Sequence, residues 1–216
     1  MQTHHLLQLV PNRVAATVER LQRQIWTRVR EIAVEATESN ERHTIWPDAL
    51  SQPRSKVQRG SAWGCLYDQR WCRLELLNLK QDLPGELHLE WRDQAEATLY
   101  VDGVPYFGFD VAHRYCPLPP QVSEVWVESV CVQTGIWHPE ATGLSSSGSV
   151  FEGAYVVRRD DEIWHAYHDL NSLYEVMLAD RPGGSTLNHI GHQPALSRAD
   201  PRAEPSRRVP EPSTLG

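Results

Sequence analysis

The stretch Gly85-Glu-Leu-His-Leu-Glu-Trp91 decides how the rest of the chain is read. Leu87, Leu89 and Trp91 alternate with Glu86, His88 and Glu90. Successive strand side chains point to opposite faces, so this pattern predicts a strand with one apolar face and one face in water. Ala97, Leu99 and Val101 repeat the alternation and run straight into Asp102-Gly103. That pair suits a type I′ turn, whose two central residues both need positive φ, and it predicts a hairpin. Val104 to Phe109 then returns as a strand, and Pro105 within it points to a sheet edge. Farther on, Val125-Trp-Val-Glu-Ser-Val-Cys-Val132 is the most strand-like run in the sequence. From Gly85 to Val157 this is an antiparallel β domain.

Upstream, Trp71 to Leu79 also alternates, with Cys72, Leu74 and Leu76 on one side and Trp71, Arg73 and Glu75 on the other. Arg59-Gly-Ser-Ala-Trp-Gly64 reads as a turn anchored by a tryptophan. Val14, Val18, Leu21, Ile25, Val29 and Ile32 fall three or four apart, which predicts one amphipathic helix capped by Asn12. Arg13, Arg20, Arg23, Arg28 and Arg30 lie mostly off its apolar stripe and read as a solvated surface. Thr37 to Ser55, with Pro47 and Pro53, reads as a connection, and Trp46 is expected to pin it to the domain.

Downstream, Cys116-Pro-Leu-Pro-Pro120 reads as a rigid link and Gly135 to Gly153 as a long Gly/Ser loop, followed by a last strand at Ala154 to Val157. Asp160-Asp-Glu162 places acids at the start of a second helix, which Ile163, Tyr167, Leu170 and Tyr174 continue to about Ala179. Residues 181–216 are rich in Pro, Ser, Arg and acids, with too little apolar content to offset their ordering entropy, so a disordered tail is expected. The expected architecture is mainly β: an antiparallel β-sandwich over 57–159, preceded by a helix and connection over 1–56, followed by a helix over 160–180 and the tail.

The net charge of −7 and pI near 5.8 argue against nucleic acid as a partner. No apolar run reaches the length of a membrane span. The start, Met1-Gln-Thr-His-His5, lacks the basic segment and apolar run of a secretory signal, so the cytoplasm is the expected location. Cys65, Cys72, Cys116 and Cys131 show no CxxC spacing and are expected as free thiols.

Candidate chemistry is sparse. His88 and Glu90 share a strand face, His138 and Glu140 repeat the spacing, and His165 and His168 lie three apart on the second helix. No phosphate loop, GxSxG or HExxH is present, and no metal site or catalytic residue is assigned. The loop Gln133-Thr-Gly-Ile-Trp-His-Pro-Glu140 is the best binding candidate, because loops on a rigid scaffold collect binding residues. Trp137 would stack on a sugar ring while His138 and Glu140 bond its hydroxyls; alternatively, Trp137 folds back as a plug and the loop meets another domain.

A succession of segments resembles one family. A helix carrying Arg-Leu and a Trp, then Arg59-Gly-Ser-Ala-Trp-Gly64, Gly85 to Trp91, Glu96-Ala-Thr-Leu-Tyr-Val-Asp-Gly-Val-Pro105, Glu128-Ser-Val-Cys131 and Trp164-His-Ala-Tyr-His-Asp169 look like the N-terminal domain of glycoside hydrolase family 38 α-mannosidases of the cytosolic and vacuolar branch. The resemblance spans roughly residues 13 to 178. It implies a β-sandwich that precedes a (β/α) barrel, where zinc and an aspartate nucleophile within a His-x-Asp motif carry out retaining hydrolysis. No histidine of this sequence matches His-x-Asp, so the resemblance assigns no cofactor to this chain and leaves the zinc with the barrel. The partner it implies is that barrel or another subunit. The expected role is an accessory domain of an α-mannosidase, inactive alone; the alternative is a stand-alone carbohydrate-binding module that recognises mannosides.

Overall fold

The computed structural model describes residues 3–77, 83, 85–119, 121–132 and 148–179, with backbone alone for 3–10. In chain order the elements are α1 (Thr3–Gln22), β1 (Trp26–Glu31), β2 (Val34–Thr37), α2 (Trp46–Ala49), β3 (Arg54–Lys56), β4 (Ala62–Trp63), β5 (Gln69–Glu75), β6 (His88–Asp93), β7 (Glu96–Val101), β8 (Val104–Phe109), β9 (Tyr115–Pro117), β10 (Glu124–Val130), β11 (Ser149–Arg159) and α3 (Asp161–Ala179).

Two antiparallel sheets result. The first runs β1–β11–β6–β9, with β4 also paired to β11; the second runs β3–β2–β5–β10–β7–β8. Leu89, Trp91, Phe151, Ala154 and Val156 from the first sheet meet Ala36, Leu74, Leu99, Val125 and Val127 from the second in one buried cluster. The period-two pattern of Leu87, Leu89 and Trp91 is therefore the inner face of the first sheet. Asp102 and Gly103 both have positive φ, 51° and 78°, and join β7 to the edge strand β8 as the sequence predicts. A Cβ on Gly103 would lie 2.6 Å from Trp46 Nε1, so the glycine also lets that indole sit against the turn. Trp46 does pin the 37–55 connection, through Trp71, Trp126 and Tyr100.

Inside the sandwich, a polar bridge ties the sheets together. Arg70 on β5 reaches Asp93 on β6 at 2.9 Å, and Trp63 Nε1 donates to the other Asp93 oxygen at 2.9 Å. The Arg70 guanidinium lies 3.8 Å from the Trp63 ring centroid. All four cysteines are free thiols, as expected from their spacing. Burial pushes Cys72 and Cys116 up to about 12, which keeps both protonated and unreactive.

The N-terminal reading needs correction. The helix ends at Gln22, and the Ile25 to Ile32 part of the stripe is the edge strand β1 with its flanks. Asn12 lies within α1 beside Pro11 and does not cap it. A β-bulge between Arg28 and Arg30 explains the misreading: one extra residue breaks the period-two alternation of β1 and leaves a three- and four-residue spacing that mimics a helix. Thr37 to Ser55 is likewise more than a connection, since it closes β2, holds α2 and opens β3. Cys116 and Pro117 belong to β9.

The helix predicted near 160–179 is present as α3, which packs against α1 and buries no residue of its own completely. Among the described residues, no helix is long and apolar enough to cross a membrane. The tail at 181–216 and most of the Gly/Ser loop lie outside the described residues.

Candidate functional site

The outer face of the second sheet carries an aromatic cluster of Trp46, Trp71, Trp126 and Tyr100 around Ala49. Beside it, a cavity of about 170 Å³ opens between the end of β2, the α2–β3 connection and the start of β5. Its floor is tied down by the protein itself. Asn40 and Gln69 exchange two backbone hydrogen bonds at 2.9 Å each. The Trp71 backbone N–H donates to Thr37 Oγ1 at 3.0 Å, and Trp71 Nε1 donates to the Thr44 carbonyl at 2.9 Å. Gln69 accepts from the Thr44 N–H and donates to Glu128, which also accepts from the Tyr100 hydroxyl at 2.9 Å. Burial and that bond to Glu128 push the Tyr100 phenol up to about 12.

The rim of the cavity has polar capacity left over. Asn40 Oδ1 accepts from the Arg42 N–H at 2.7 Å, and Gln52 Nε2 donates to Thr44 Oγ1 at 3.1 Å. Among the described residues, nothing engages Asn40 Nδ2, Gln52 Oε1 or the Glu38 carboxylate by a hydrogen bond. The cup therefore presents a carboxylate, an amide N–H₂, an amide carbonyl and a hydroxyl on a fixed frame.

The outer face of the first sheet is built differently. His88 and Glu90, expected in water, are each only 2% exposed. The reason is that long side chains from edge strand β1 lie across the sheet. Trp26 meets His88 edge-on at 5.0 Å and stacks flat on Tyr115 at 4.1 Å. Arg28 passes 4.1 Å over the Tyr155 ring and grips both Glu90 oxygens at 2.7 and 2.9 Å. Burial alone would raise the Glu90 carboxyl, but the Arg28 and Arg92 contacts outweigh it and hold the group below its ordinary range. Burial lowers His88, against a weaker pull upward from Glu86.

The shared face of His88 and Glu90 is thus real, but each side chain has its own partner and the two do not form a ligand pair. His165 and His168 sit against Trp164 on α3. Among the described residues, no group of three or more His, Cys, Asp and Glu is placed to hold a metal ion. Trp137, His138 and Glu140 lie outside the described residues. The cup residues Glu38, Asn40, Gln52 and Gln69 were not singled out from sequence. They come from separate segments, and the one signal was a polar, proline-flanked connection held by Trp46. Compared with known proteins, the chain matches no family model and no curated sequence.

Proposed function

We propose that the chain is a non-catalytic accessory β-sandwich of the kind that precedes the catalytic barrel in family 38 α-mannosidases, and that it serves carbohydrate hydrolysis by docking to such a barrel. The observation that carries this reading is where the resembling segments lie. The Cys131 thiol contacts the Trp63 carbonyl at 3.5 Å, which joins the 59–64 segment to the 128–131 segment. Tyr100 donates to Glu128, and Ala97 pairs with Ser129, which joins 96–105 to 128–131. Leu89 and Trp91 of the opening strand enter the same core as Trp63, Leu99 and Cys131. The resembling segments of the β region interlock here, while 164–169 lies on α3 outside this core, as expected if most of what they encode is the sandwich itself.

The carboxylates add support. Retaining glycoside hydrolysis needs a nucleophilic carboxylate and an acid/base carboxylate about 5 Å apart, both free to react. Glu90, Asp93, Glu124 and Glu152 are each held by an arginine. They are spent on structure.

The test is release of nitrophenol from a nitrophenyl α-mannoside in the presence of zinc. The purified chain alone is expected at background. Turnover that co-purifies with the folded chain and disappears when it is unfolded would overturn the reading.

A further inference from the structure

We propose that the cup beside Trp71 is a binding site for one neutral sugar ring. This goes beyond the accessory-domain reading and does not depend on it, since the cup would bind its ligand whatever the sandwich is attached to.

Size is the first argument. A cup of about 170 Å³ has room for about six waters at roughly 30 Å³ each, enough for one pyranose ring. Chemistry is the second. A sugar hydroxyl both donates and accepts, so a site for it needs acceptors and donors interleaved. Glu38 and Gln52 Oε1 offer acceptors, Asn40 Nδ2 offers two donors, and the Thr44 hydroxyl supplies either role. Among the described residues, no lysine, arginine or histidine lines the cavity, while a carboxylate does, which disfavours phosphates and other anions. Trp71, only 2% exposed, closes the base of the cup beneath these groups.

Rigidity is the third argument. Gln69 and Trp71 have their polar atoms bonded within the protein, so the floor cannot rearrange to satisfy the rim groups. The rim is left to a ligand or to water. A frame that is ordered beforehand lowers the entropy lost on binding, and that is what makes a site this small useful.

The test follows the Trp71 indole N–H resonance, which reports from beneath the cup because that group is bonded to Thr44. The full chain is titrated with methyl α-mannoside, methyl α-glucoside and methyl α-galactoside, with glycerol as control. At least one glycoside is expected to give a saturable shift in the millimolar range. Glu38→Gln and Asn40→Asp are expected to weaken it about tenfold or more, with the melting temperature unchanged. Asn40→Asp keeps the oxygen that accepts from Arg42 while removing the amide donors, so a folding defect is not anticipated. Absence of saturation with every glycoside, an equal response to glycerol, or a shift that survives in both variants would overturn the proposal. Docking to a barrel is read by the hydrolysis assay instead, so failure of the cup and failure of the accessory-domain reading are told apart.

Discussion

Replacing Asp93 by asparagine should cost the fold more than any other single polar change. The Arg70 side chain is 4% exposed and the Asp93 side chain is not exposed at all. Asparagine keeps an oxygen for Trp63 Nε1 but leaves the guanidinium buried without a counter-charge, and Arg70 Nε already lacks a hydrogen-bond partner. Breaking one side of a buried ion pair costs about 3–5 kcal/mol, because the remaining charge stays desolvated. Against a total stability of about 5–15 kcal/mol, that is a large share. For a chain of this size it corresponds to a fall in melting temperature of roughly 6–20 °C. Urea unfolding followed by tryptophan fluorescence measures it directly. The double variant Arg70→Met with Asp93→Asn removes the stranded charge and should be more stable than Asp93→Asn alone. The reasoning fails if Asp93→Asn lies within about 1 kcal/mol of the parent, or if the double variant is no better than the single one.

Three further outcomes are expected. Glu90→Gln should destabilise the fold by about 2 kcal/mol at neutral pH. Because the Glu90 carboxyl is held low in the folded state, its stabilisation is complete above the ordinary carboxylate range and is lost as pH falls through the lowered value, so parent and variant should converge in acid unfolding curves. Trp26→Ala should uncover His88 and move its titration up toward the ordinary imidazole value, seen in the histidine ring resonances; a midpoint that does not move would refute the lid. Gly148→Ala should cost about 3 kcal/mol or more, since a Cβ there would fall 2.1 Å from the Gly64 carbonyl oxygen and 2.4 Å from that of Trp63, with φ at +87°; thermal unfolding measures it.

Much of the sandwich was legible because its signals are local. Leu87, Leu89 and Trp91 mark an inner face by period alone, and Asp102-Gly103 fixes a hairpin by the φ it requires. The edge strand β1 was not legible, because its bulge erases the alternation and the run then satisfies helical spacing. The burial of His88 and Glu90 was hidden for a different reason. It is produced by Trp26 and Arg28, some sixty residues away in sequence, and nothing around His88 announces a cover. The cup was hidden in the same way, since Glu38, Asn40, Gln52 and Gln69 meet only once β2 and β5 pair. Trp137, His138 and Glu140, the binding residues the sequence favours, stand as an expectation from composition and loop position.

The measurement closest to the central claim is the rate of nitrophenyl α-mannoside hydrolysis, with zinc, by a family 38 catalytic barrel stripped of its own N-terminal domain, assayed with and without this chain. The account predicts no turnover by the chain alone and a higher rate for the barrel in its presence. Hydrolysis by the chain alone, or a barrel rate that does not respond to saturating amounts of it, would contradict the account.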